Sequence, residues 1–314
     1  MSRRKPGREW SAVGLPRLRD RLYEVELSSV QEQTRTYEAA RNQWDQLPPD
    51  VREAVRNGER MLPDVHRSNV ILRDCPLFWV SPDMVQVASR AAPTLPEWTP
   101  ATAMPSPTGL LAWGAPVLST LPWVGADEIE HTVTWDGILW HPNPGGDIEI
   151  EIMSRLANAR DGLADSRLNT PLFSVLSLLL GDPDAVRSVD LTDASEVLLM
   201  MVGSAWLLMG QHRIADTRIM RADTGRLEAL GDRPPRVSDV TIIDLRRADP
   251  KPTDHDPEHP GREYQSRWWV DGHWRQQACG PGRSQRKPVW IAPHLKGPAG
   301  LPVSEKERVH VWRR

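Results

Sequence analysis

The chain has 314 residues, with 39 Lys or Arg against 42 Asp or Glu and a formal net charge of -3. That balance excludes a binder that relies on cationic charge over its whole surface, and 39% hydrophobic with 26% charged residues excludes wholesale disorder. Two cysteines, Cys75 and Cys279, exclude a cysteine-built zinc site and point to a reducing compartment.

The basic start, residues 1–10, runs into polar sequence and not into an apolar segment, so a cytoplasmic and not a secreted protein is expected. Fourteen Trp stand beside 3 Tyr and 2 Phe. Five of the 39 basic residues are Lys, which leaves 34 Arg, and a GC-rich genome gives both biases. Two readings of the tryptophans follow. Either Trp replaces Phe and Tyr as the core aromatic, or some indoles are exposed stacking platforms.

Leu15–Leu47 carries Leu18, Leu22, Val25, Val30 and Tyr37 at helical spacing, which predicts one long amphipathic helix or two shorter ones ended by Pro48-Pro49-Asp50. A short helix is expected over Asp50–Arg60, and strands over Val70-Ile71-Leu72 and Leu77–Val80. Ser81-Pro82-Asp83 is a helix start, with serine as the cap and proline in the first turn, leading into Met84–Ala91. Five prolines between Ala92 and Pro107 predict an irregular connection. Strands resume at Gly109–Trp113, and Ile129–Trp135 and Ile138–Trp140 read as a hairpin across Asp136-Gly137. Asp147–Met153 alternates acid and apolar as a half-buried strand does.

From Ser154 to Leu230 the pattern reads as helical, with Leu172–Leu180 and Ala194–Met209 its most apolar stretches. The second opens on Asp193 and Glu196, a capping-box spacing, and its uncharged run is too short to span a bilayer of roughly 30 Å. Val237–Leu245 reads as a strand and Arg246–Gly261 as a polar linker. Glu263–Val270, His273–Gln277 and Val289–Ala292 then form a compact β module. The fold class is α+β: a helical region at 1–60, an α+β body at 61–236 with a buried apolar helix near 194–212, a strand and linker at 237–263, and a basic Trp-rich β module at 264–314.

Charge is unevenly placed. Asp127–Met200 holds fourteen acids against four arginines, a net of -10, whereas Arg262–Arg314 holds eleven cations against four acids, a net of +7. A cationic block suits phosphate contacts, since each neutralised phosphate releases counterions. The same block would equally suit an intramolecular contact with the acidic middle.

Within the basic module Arg267, Trp268, Trp269, His273, Trp274 and Arg275 interleave cations and indoles. Arg283, Arg286 and Lys287 follow on a loop before Trp290. Bases stack on indoles while arginines hold phosphates. Strand alternation sets Trp268 and Val270 against Arg267 and Trp269, so one of the adjacent indoles falls on the less apolar face. The competing reading is that so small a module spends its large side chains on its own core.

Other constellations are weaker. Asp147, Glu149 and Glu151 share one strand face, with His131 and His141 nearby, as a metal-dependent nuclease would need, but no Lys follows at the spacing such enzymes favour. Asp254–His259 has metal-ligand residue types, but Pro257 breaks the helix that would align them. Neither cysteine has a group that orients a thiolate, and Gly280–Ser284 is at best a small anion-binding turn. No phosphate-binding loop, dinucleotide fingerprint or nucleophile elbow is present.

Gly272-His273-Trp274, the basic loop, and Trp290-Ile291-Ala292-Pro293 together resemble the end of a family of phage- and plasmid-borne proteins. Its named member is a type V-A anti-CRISPR protein that suppresses production of its target nuclease during translation by recognising the emerging N-terminal peptide. The resemblance implies a mobile-element protein that binds a protein or nascent peptide, RNA, or both, and it does not imply a catalytic residue; no cofactor, metal or membrane partner is expected. The expected nucleic-acid contacts are Arg267, Trp269, His273, Trp274, Arg275, Arg283, Arg286, Lys287 and Trp290. The alternatives are a metal-dependent nuclease built on Asp147, Glu149 and Glu151, and a purely protein-interaction module.

Overall fold

A computed structural model describes residues 10–124, 130–158, 170–187, 194–221, 239–246, 265–298 and 300–304. Its centre is a seven-stranded mixed sheet. Among the described residues the strands are β1 (Leu77–Val80), β2 (Gly109–Val124), β3 (Glu130–Pro142), β4 (Ile148–Arg155), β5 (Leu172–Gly181), β6 (Ala215–Met220) and β7 (Val240–Leu245), ordered β5-β4-β3-β2-β1-β7-β6. The short β1 is parallel to both its neighbours, β2 and β7, and every other pairing is antiparallel. Leu77, Phe78 and Val80 are all buried, as befits a central strand covered on both faces. The architecture is α+β.

Helices cover both faces. α1 (Leu15–Asn42) and α2 (Pro49–Asp74) form an antiparallel arm whose root packs on one face through Leu15, Leu18, Leu22 and Leu72 against Leu77, Leu110 and Leu139. α3 (Pro82–Ala91) and α5 (Ala194–Met209) pack on the other, with the one-turn α4 (Pro100–Ala103) beside α5. This second face is built from indoles. Trp98, Trp113, Trp135, Trp140, Trp206 and Trp290 are all buried, with edge-to-face pairs Trp113–Trp135 at 5.6 Å and Trp98–Trp206 at 6.3 Å. Trp therefore does serve as the core aromatic. Among the described residues no helix is long and apolar enough to cross a membrane.

Five expectations need correction. Ala215–Met220 lies in the stretch read as helical but is the edge strand β6, paired antiparallel with β7. Val70-Ile71-Leu72 is not a strand but the last turn of α2, which runs through Pro63; Asn69 and Leu72 point inward three residues apart while Val70 is exposed. Asp136-Gly137 is not a hairpin turn but the middle of β3. Gly137 lies so close to β2 that a Cβ there would stand 2.6 Å from the Leu111 carbonyl oxygen, and Asp136 is buried, accepting from the Arg155 backbone N–H at 3.0 Å and from Arg155 Nε at 2.8 Å. Leu172–Leu180 is not helical but the edge strand β5, where breaks in register near Val175 and Leu180 disturb the alternation that would have announced a strand. Ser81 begins α3 without a side-chain cap: its backbone N–H donates to the Ile243 carbonyl, and its carbonyl accepts from the Val85 N–H. Asp193, the other expected cap, lies outside the described residues, as do residues 247–261 of the linker and with them the Asp254–His259 cluster.

Candidate nucleic-acid interface

The basic module contains β8 (Trp268–Val270), β9 (His273–Cys279), β10 (Gln285–Ile291) and β11 (His294–Lys296). β8 pairs with β11 and β9 with β10, both antiparallel. The two pairs are halves of one bent ribbon. Val270 opposes His294 and His273 opposes Ile291, so the ladder breaks only where Asp271-Gly272 faces Ala292-Pro293. Both break residues are required by packing: the Trp290 ring lies where a Gly272 side chain would begin, 2.4 Å from a Cβ there, and Pro293 lacks the N–H a ladder would use.

The ribbon's inner face is committed to the body. Trp274 and Trp290 are cross-strand partners, meet edge to face at 5.4 Å, and join the indole core beneath α3 and α5. Trp274 Nε1 donates to the Ala91 carbonyl at the end of α3, 2.8 Å away. The Trp290 backbone N–H donates to Gln211 Oε1 at 2.7 Å, just past the end of α5. Trp290 is 4% exposed, which leaves no ring face for a base; this expected nucleic-acid contact is a core residue. Trp274 is half-buried and likewise engaged.

The outer face is different. Four residues separate Trp269 from His273 on one strand and Leu295 from Ile291 on the other, so alternation stays in phase across the break. Trp269, His273, Arg275 and Lys287 consequently fall on the set opposite Trp274 and Trp290, and all four are exposed. Trp269 is 63% exposed, the exposed indole that alternation demanded. Arg275 pairs with Val289 and Lys287 with Gln277, which makes the two cations diagonal neighbours about 7–8 Å apart.

The remaining cations divide by partner. Arg283 sits exposed at the tip with φ 58°, a left-handed conformation in a non-glycine residue. Arg286 folds onto that tip, Nη1 donating to the Arg283 carbonyl at 3.1 Å. Arg267 is half-buried and strapped by residues 300–304, its N–H donating to the Pro302 carbonyl and its carbonyl accepting from the Ser304 N–H. The N–H groups of Arg283 and Ser284 donate to Gly280 and Pro281, which removes them as an anion cradle. Among the described residues, no acid of the body forms an ion pair with Arg275, Arg283, Arg286 or Lys287.

Sequence reasoning missed the body's share of this surface. Gln211 brings the exposed His212 and Arg213 beside β10, and Arg246, at the end of β7, donates to the His212 carbonyl at 2.5 Å. These residues are far from the ribbon in sequence, and the Gln211–Trp290 contact places them beside it.

Residues 225–297 match the model of the AcrVA2-like family, the anti-CRISPR type V subtype A2 family. The matched span includes β7 and ends one residue past β11, so the anti-CRISPR similarity takes in the whole ribbon and the strand that ties it to the sheet. No curated protein matches the chain.

Outside the anti-CRISPR-like span, the carboxylates of the nuclease alternative are dispersed or engaged. Asp147 precedes β4, its N–H bound to Asn143 Oδ1. Glu149 accepts from Ser177 Oγ at 2.6 Å, and Glu151 lies 3.5 Å from His141 Nε2. Among the described residues, no three His, Cys, Asp or Glu side chains are grouped to hold a metal ion. His131 lies outside the described side chains.

The buried His141 also lies 3.3 Å from Ser68 Oγ, but through the same Nε2 that meets Glu151, whereas a Ser-His-acid relay needs the two partners on opposite ring nitrogens. Burial pulls the imidazole down, but the hydrogen bond and charge of Glu151, with Pro142 and Glu149, outweigh it and hold His141 above its ordinary value. Glu26 on α1 is raised by burial and by the charge of Glu151. The Cys75 thiol is pushed up to about 12, chiefly by burial, which makes it inert as a nucleophile.

Proposed function

We propose that the protein is an anti-CRISPR-type, mobile-element binding protein. In this reading the outer face of its ribbon contacts RNA or ribosome-associated nucleic acid while the sheet-and-helix body recognises a protein or nascent peptide. The observation that carries the reading is the coincidence of two features on one segment: the anti-CRISPR family match and an exposed cationic face with no ion-pair partner among the described residues. A cationic face left unpaired is suited to phosphate, and its docked inner face presents it as a rigid platform.

The test is RNA retention by the full chain and its salt dependence. Replacing Arg275, Arg283 and Lys287 together with Ala is expected to weaken RNA binding and to flatten the slope of log K against log salt by about 2, or roughly 0.7 per lost contact on a single strand. Unchanged affinity and slope would sink the assignment. Purification from the cellular host with sequencing of co-purifying RNA and protein then identifies the target.

A further inference from the structure

The ribbon's outer face also specifies which form of nucleic acid fits it, an inference that rests on the reading just given. We infer that it takes a single-stranded segment, with an unpaired base on the exposed face of Trp269 and the backbone on Arg275 and Lys287.

Three observations combine. First, of the module's indoles expected to contact nucleic acid, Trp274 and Trp290 are spent on docking the ribbon, so base contact falls to Trp269, which is 63% exposed. A base within a duplex has both faces covered by its neighbours, whereas an exposed indole offers a stacking surface that only an unstacked base can use. Second, Trp269 and the Arg275/Lys287 pair lie on the same alternating set of one ribbon. Six residues separate Trp269 from Arg275, a path of at most about 20 Å at roughly 3.3 Å per residue because the ribbon bends at Asp271-Gly272, a span that a short extended segment can follow. Third, the cations are few. Residues 265–298 hold six cations and one acid, Asp271, and of the exposed cations on the strands only Arg275 and Lys287 share this face with Trp269, Arg267 being half-buried under residues 300–304. Two phosphate contacts are too few to hold a duplex by charge, and stacking must supply the rest.

The experiment compares a fluorescein-labelled oligouridine with a blunt RNA duplex of equal length, at low and at moderate salt, on the full-length protein and its variants. The oligouridine is expected to bind more tightly than the duplex. Trp269→Ala should weaken oligouridine binding by roughly 5- to 150-fold, the loss that follows removal of one base–aromatic stack, while leaving the salt slope unchanged. Trp269→Phe should restore most of that loss. Arg275→Ala with Lys287→Ala should lower the slope by about 1.4.

Equal affinity for duplex and oligouridine, or unchanged oligouridine binding by Trp269→Ala, overturns the single-strand inference and leaves nucleic-acid contact standing. Loss of a protein partner in Trp269→Ala, with RNA binding intact, overturns it in favour of a protein-docking indole. Failure to bind either RNA removes the proposed function along with it. Because Trp269 is exposed, a melting curve like that of the parent separates these results from misfolding.

Discussion

The two faces of the central sheet hold their neighbours by different means. On the α3/α5 face a stack of indoles extends through Trp274 and Trp290 into the ribbon, so the C-terminal segment shares the core of the body. On the α1/α2 face, beyond the apolar root of the arm, Ser68, His141, Glu151 and Glu26 meet in a half-buried polar contact. Packing of the first kind fixes position through shape; the second depends on which groups are charged. The ribbon is consequently held in place with Arg275 and Lys287 facing away from the body, while the arm is held by a contact that pH can weaken.

The largest expected effect tests the indole face. Trp290→Ala should cost about 3–5 kcal/mol in urea unfolding, the usual range for emptying a buried aromatic site, and should expose the ribbon to limited proteolysis. A cost below about 1 kcal/mol would mean the ribbon does not share the core. Next, Gln211→Ala leaves the half-buried Trp290 N–H without its acceptor and should cost about 1–3 kcal/mol, with the ribbon's amides losing hydrogen-exchange protection before the sheet's.

The third prediction sharpens the other face. His141 is held above its ordinary value, so its contribution is present below the unfolded histidine range and is lost as pH rises through the raised value. Glu26, also raised, adds a loss of the same sign at lower pH, as the carboxyl ionises. Stability measured by denaturant midpoint should therefore fall from mildly acidic to mildly alkaline pH, and His141→Gln should flatten the histidine part of that fall. An unchanged slope in the variant would assign the pH dependence to other groups. The smallest effect is that of Trp269→Ala, expected to stay within about 0.5 kcal/mol of the parent, because the ring is exposed. A larger loss would place Trp269 with the docking indoles.

Much of this arrangement was legible before any coordinates. The β1 strand, α3, α5, β7 and the strands of the ribbon follow from apolar runs, proline positions and alternation, and the exposure of one of Trp268 and Trp269 follows from period two alone. What could not be read depends on tertiary partners. Asp136-Gly137 carries the signature of a turn, yet Asp136 is buried for Arg155 and Gly137 makes room for β2. The breaks in register along β5 erased the alternation that distinguishes a strand from a buried helix. In the ribbon, the sequence pointed to aromatic and cationic residues but did not separate the indoles that dock from the one that is exposed. That distinction needs Ala91 and Gln211, which lie 183 and 79 residues from their partners. His212, Arg213 and Arg246 were invisible for the same reason.

The two cysteines, both free thiols, differ in accessibility. Cys75 is 3% exposed with its thiol pushed up to about 12, whereas Cys279 ends β9 on the ribbon and is partly exposed. A maleimide dye applied to the unmodified native protein near neutral pH should therefore attach to Cys279 alone. The chain carries its own single-site labelling position, on the segment whose docking and ligand contacts most need watching.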